Sequence, residues 1–427
     1  MTNSLYIRGG RIVDPAAGRD EIGDLYIHKG VIAPTPAKPP ADAEIFEAKG
    51  LVVVPGFIDL HVHFREPGGE EAETIETASR AAARGGFVAA VAMPNTRPPL
   101  DTPERVAACK ACGERVGLIH VMPSASFSVG REGRELTRFA ELVKAGAVAL
   151  TDDGSTAQDE SVMFEVMKQA ARMGLLVMDH AEDAAVAKGG VMHAGAYSEK
   201  YGLPGIPSAA EVNIVRRDIG IAEKTGCAIH IQHVSAAESV KLIAAARKRG
   251  LQASGELTPH HLALTDADVD PANADFKMNP PLRSREDRAA LIAGIVTGAL
   301  QAFATDHAPH TKARKAEGFL KAPFGIVGLE TAIGVTFTET VHRGLMDLPT
   351  WVRRWTVGPA AILSLPPPSL KQGAVANVTI LDLQSEWVVR PEAFISKSQN
   401  TPFAGRRLVG RAVRTVYRGV TTWNQVG

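Results

Sequence analysis

Eight short apolar runs recur along the chain, separated by stretches with helical periodicity. The runs lie at 56–63, 87–93, 118–122, 147–151, 175–180, 228–233, 251–256 and 301–306. Helix-like stretches lie between them at 102–115, 134–145, 161–173, 236–248 and 285–300. Strands alternating with helices imply parallel pairing. Eight such units predict a (β/α)8 TIM-type barrel, an α/β fold whose active site sits at the C-terminal ends of the strands. The spacing lengthens after the fifth and seventh runs, which puts long, functionally used loops there.

The two ends of the chain read differently. Segments 4–13, 24–31 and 43–54 alternate as short strands between Gly and Asp turns, and so do 376–381, 386–390 and 412–417. Three consecutive prolines within 365–369 mark a linker. The expected division is therefore a barrel over 55–365 and a small β-sandwich formed jointly by 1–54 and 366–427.

Composition narrows the function classes. The chain has 427 residues, and its 47 basic residues balance 47 acidic ones. That balance lacks the basic footprint of a nucleic-acid binder, and 45% hydrophobic residues exclude a disordered chain. Three cysteines cannot build a disulfide framework, which points to a reducing, cytoplasmic setting. The N-terminal segment has no basic region followed by an apolar core, so it does not read as a secretory signal. No uninterrupted apolar stretch of about 18 residues is present to span a membrane.

Polar residues fall where a barrel would use them. His61 and His63 close the first run, Asn95 follows the second, and Asp152 and Asp153 follow the fourth. His180 ends the fifth, His233 the sixth and Asp306 the eighth. In a strand, residues i and i+2 share a face roughly 6–7 Å apart, so His61 and His63 can converge on one ion. Imidazole and carboxylate together suit zinc or a similar divalent cation. Six protein ligands exceed the three or so that a mononuclear catalytic zinc takes, so two ions are favoured over one. Two such ions outweigh two carboxylates and a hydroxide, and the residual positive charge would attract an anionic substrate.

Nine segments carry a resemblance to a known family. They are PGFIDLHVHFREPG (55–68), MPNTRP (93–98), TDDGS (151–155), DHAED (179–183), IHIQHVS (229–235), ELTPHHL (256–262), KMNPPLR (277–283), ATDHAPH (304–310) and APFGIVGLET (322–331). The chain resembles the bacterial type I dihydroorotases of the amidohydrolase superfamily, and the segments span most of the barrel in order. The resemblance implies that His61 and His63 bind one metal, His180 and His233 the other, and that Asp153 bridges them. Asp153 is chosen over Asp152 because the family places its ligand second in this pair. It further implies that Asp306 contacts the first metal and serves as general base and acid. Arg65, Asn95 and His310 would hold the substrate carboxylate, with Asn279, Pro323 and Gly325 lining the rest of the substrate site.

The implied activity is zinc-dependent, reversible cyclisation of N-carbamoyl-L-aspartate to (S)-dihydroorotate, the pyrimidine-building step. A homodimer and association with aspartate transcarbamoylase are compatible with the resemblance. Related hydantoinases and allantoinases bridge their metals with a modified lysine near the fourth strand end. Here no lysine lies between Lys144 and Lys168, which counts against that class. A non-catalytic, dihydroorotase-like scaffold would tend to have lost metal histidines, and all four are present.

Other features take plainer readings. Cys109 and Cys112 have metal or redox spacing but sit in a helical pattern with no second pair, and Cys227 reads as core. His260 and His261, at the seventh strand end, are not taken as ligands. The basic segment 312–321 reads as a solvated loop, which its glycine and its position would also allow to close as a lid.

Overall fold

The structure is a computed structural model that describes residues 4–425. Residues 1–3, where the reading of the N-terminal segment begins, lie outside the described residues. The (β/α)8 barrel is present. Its first three strands, Phe57–Val62, Phe87–Ala92 and His120–Pro123, pair in parallel. Its last four, Leu176–Asp179, Ala228–Ile231, Ala253–Leu257 and Ala302–Phe303, form a second parallel set in sequence order. Segment 147–151 joins the two sets. It is reduced to one bridging residue, Leu150, which pairs in parallel with Ala125 and Val177. The ring closes through a parallel bridge between Val62 and His307, where the His63 amide donates to the His307 carbonyl at 2.9 Å.

Helices cover the outside, and their ends follow local chemistry. The expected helix at 285–300 is Arg285–Thr297, because Gly298 adopts φ 88° and closes it early. The one expected at 134–145 is only Phe139–Ala145, and no side chain caps its N-terminus. Apolar side chains pack between strands and helices, while a smaller cluster including Ile58, Leu60, Val91 and Met178 fills the barrel below the catalytic face.

Both chain ends contribute to one eight-stranded sheet. Its order is Val420–Asn424, Arg407–Tyr417, Val378–Val388, Val52–Pro55, Ser4–Asp14, Arg19–His28, Val31–Ala33, with Glu44–Glu47 pairing Ser4–Asp14 on the side. Leu5, Ile12, Leu25, Val53, Ile380 and Val416 from five of these strands share one core, as expected for the sandwich. The separate strands read at 376–381 and 386–390 are one strand. A register shift between Asp382 and Glu386 bends it, and the Asp382 carboxylate accepts the Gln384 and Ser385 amides there. Among the described residues no helix is long and apolar enough to cross a membrane.

Candidate metal centre

A bulge in the first strand sets up the site. The strand shifts register between Asp59 and Val62. Ile58 and Leu60 face the barrel interior, and strict alternation would send His61 and His63 to the opposite face. The bulge reverses this, so both histidines reach the catalytic mouth. Asp59 braces the bend by accepting the His61 amide at 3.1 Å and the Thr305 hydroxyl at 2.6 Å.

Two clusters of ligand-capable atoms result, and they share His61. One is His61, Asp153 and His233; the other is His61, His63 and Asp306. Asp153 Oδ1 lies 3.2 Å from His61 Nε2, and Asp306 Oδ1 lies 3.0 Å from His63 Nε2. His180 sits at the edge, its Nδ1 2.8 Å from His233 Nε2 and 3.9 Å from Asp153 Oδ1. Burial, reinforced by His233, pushes His180 down to about 3, which keeps it an unprotonated donor at neutral pH.

The outer nitrogens are held by other side chains. His61 Nδ1 is 2.9 Å from Glu256 Oε1, and His63 Nδ1 is 2.8 Å from Asn95 Oδ1. Each Nδ1 is thereby engaged, and each Nε2 faces carboxylate oxygens. Nε2 atoms this close to carboxylate oxygens are compensated by a second ring proton or by a bound cation. His61 Nε2 and Asp153 Oδ1 are buried without a hydrogen-bond partner, a cost that a bound ion removes. The donor set fits a divalent cation.

Adjacent carboxylates at the fourth strand end have different work. Asp152 turns away and accepts from the Ser126 and Ser128 hydroxyls and the Ser128 amide. Asp153 turns toward the histidines. Asp153→Asn should therefore lower bound metal, whereas Asp152→Asn should chiefly lower thermal stability. Elemental analysis beside melting curves checks this, and the reverse ranking would make Asp152 the ligand.

Above the cluster opens a cavity of about 180 Å³, lined by Arg65, Asn95, Asn279, His310 and Gly325 among others. Arg65 spends Nε on the Pro309 carbonyl at 3.1 Å, and its Nη2 lies 3.3 Å from His310 Nε2. Burial lowers Arg65 to about 10, so it stays cationic at neutral pH. Burial, with Arg65 beside it, drops His310 to about 3. Asn95 Nδ2 lies 3.4 Å from Asp153 Oδ2, so this residue braces Asp153 and His63 as well as lining the cavity. Asn279 Nδ2 donates to Glu182 Oε2 at 2.8 Å. Pro323 lines the neighbouring cavity, which Arg65, Asn95 and His310 also border.

Several contributors were not singled out in the sequence. Glu256 links His61 to His230, whose Nε2 is 3.0 Å from Glu256 Oε2. Its signal is an acid closing the seventh run, 251–256. Arg131 donates to the Asp152 and Asp153 carbonyls and has no signal beyond its charge. Arg65, Arg131, His233 and Asp306 all adopt positive φ, backbone strain of the kind that gathers at functional sites. His260 and His261 join neither cluster, and Cys109 is buried in helix Pro103–Val116.

Comparison with known proteins identifies the family. A family model described as dihydro-orotase-like matches residues 50–239. A dihydroorotase from Halalkalibacterium halodurans is 44% identical over 420 residues, 98% of each chain. One from Bacillus caldolyticus is 45% identical over 403 residues, 94% of each. Among solved structures, an L-hydantoinase (dihydropyrimidinase) from Arthrobacter aurescens superposes with a TM-score of 0.88 at 24% identity, covering 100% of this chain and 97% of that one. At that identity the likeness speaks for the fold alone.

Proposed function

The chain belongs to the dihydroorotase family, and from that membership we propose that it interconverts N-carbamoyl-L-aspartate and (S)-dihydroorotate at a two-zinc centre. The observation that carries the metal-dependent reading is the convergence of the His61 and His63 Nε2 atoms on Asp153 and Asp306. His61, His63, His180, His233, Asp153 and Asp306 would hold the metal. When bound, such a centre supplies Lewis acidity and an activated water.

The chain's own residues do the rest. Arg65 offers its guanidinium fork to the ring carboxylate, a pairing suited to its planar donors. Asn95 and His310 border the same space. Burial alone would raise the Asp306 carboxyl, but His61 and His63 override it and hold it well below the usual carboxylate range. Asp306 is thus ionised and accepts a proton as water attacks the ring carbonyl. It returns that proton to the ring nitrogen that leaves. In the reverse direction it takes the proton from the carbamoyl nitrogen as the ring closes.

The same reading treats 1–54 and 366–427 as two halves of one β unit. The antiparallel pairing of Val52–Pro55 with Val378–Val388 supports it. Metal analysis coupled to turnover tests the functional reading. Purified protein should carry one to two zinc ions per chain and hydrolyse dihydroorotate, and chelation should abolish turnover. Full activity after the metal is removed would overturn it.

A further inference from the structure

The segment 312–321 after the eighth strand is mostly exposed, as its composition suggests, but Lys315 and Phe319 within it are buried. Lys315 is buried at 7% exposure. Its Nζ donates to the carbonyls of Lys277 at 3.3 Å, Pro323 at 3.2 Å and Gly325 at 3.0 Å, which uses all three hydrogens. Among the described residues no carboxylate lies within ion-pair distance of it. An ammonium buried without a counterion is costly unless fully hydrogen-bonded.

A second buried group meets it from far along the sequence. Asn400, at 4% exposure, donates from Nδ2 to the Gly325 carbonyl at 3.0 Å and the Ala308 carbonyl at 3.2 Å. Its Oδ1 accepts the His310 amide at 3.1 Å. His310 Nε2 lies 2.8 Å from the Phe324 carbonyl. The carbonyls of three successive residues, 323 to 325, are thus all taken by protein donors. Gly325 adopts φ 126°, and a Cβ there would sit 2.7 Å from Ala308 Cβ and 3.2 Å from His310 Nε2. The segment presses directly on the residues that face the ring carboxylate.

We infer that Lys315 and Asn400 are positioning residues that together clamp the 323–325 wall and so set where His310 and Arg65 meet the substrate carboxylate. The inference rests on the dihydroorotase reading. The clamp makes 323–325 a fixed wall rather than a lid. A carboxylate contact serves the ground state and the transition state alike, so its misplacement weakens binding and leaves the chemical step intact.

The test is steady-state kinetics on the full-length, metal-loaded protein, with kcat expressed per metal-occupied site. Lys315→Met should raise KM for dihydroorotate on the order of ten- to a hundredfold, with kcat largely retained. Asn400→Ala, which removes no buried charge, should shift KM in the same direction and covers the case in which Lys315→Met does not fold. A merely structural role would lower kcat through lost active protein and leave KM unchanged, and that result in a folded variant overturns the inference. The parent protein is assayed first. Absence of dihydroorotate turnover there sinks the functional reading and the inference with it, whereas an active parent with variants of unchanged KM sinks the inference alone.

Discussion

Asp306→Asn should lower dihydroorotate turnover by roughly 10²–10⁴-fold, the range for a lost general acid–base group, while the fold is kept. The substitution is nearly isosteric, and the backbone favours it. Asp306 adopts φ 47°, and asparagine is among the few residues enriched in that region. Its Oδ1 lies 3.0 Å from His63 Nε2 and 3.5 Å from His61 Nε2, so the change also removes a charge from the metal cluster. The decisive comparison is therefore kcat at saturating substrate beside metal content in one preparation. A variant that keeps its metal and loses turnover assigns the proton to Asp306. Near-normal turnover would move that role elsewhere.

Dihydroorotate should be preferred over dihydrouracil by ~10⁴-fold or more in kcat/KM, as sites built around one polar group reject analogues lacking it. The two rings differ by one carboxylate. Without it, the cationic Arg65 faces the cavity with only His310 Nε2, 3.3 Å from its Nη2, beside its Nη nitrogens. Each lost charge-assisted hydrogen bond costs ~1.5–3 kcal/mol, so two account for a discrimination of that order. Arg65→Ala should cut activity on dihydroorotate steeply and narrow the gap to the neutral rings. Arg65→Lys should fall between, since an ammonium lacks the fork. Measuring kcat/KM for both rings in parent and variants decides the matter. Equal efficiency on dihydrouracil in the parent protein would favour a general cyclic amidase.

The barrel was legible because its signal is local. Short apolar runs such as 87–93 and 175–180 mark strands whatever their neighbours do, and the helices between them end at residues such as Gly298. The polar residues closing those runs then fall at one end of the barrel by topology alone. The fourth strand was legible as a run but not in its form, since only Leu150 enters the ladder.

What the chain's own residues determine, then, is which side chains stand at the catalytic face. Which way they point was decided by contacts between distant segments. Alternation from Ile58 and Leu60 would turn His61 and His63 out of the barrel, and the register shift that corrects it needs Phe87–Ala92 and Thr305 alongside. Asp152 and Asp153 are identical in type and adjacent. They separate only because Ser126 and Ser128 capture the first. Glu256 orients His61 across 195 positions of chain, and Lys315 reads as one more surface cation until the carbonyls of Lys277, Pro323 and Gly325 close around it. Periodicity in a sequence reports the burial of apolar area, which is additive along the chain. Hydrogen-bond direction and charge placement depend on partners that only folding brings within about 3 Å.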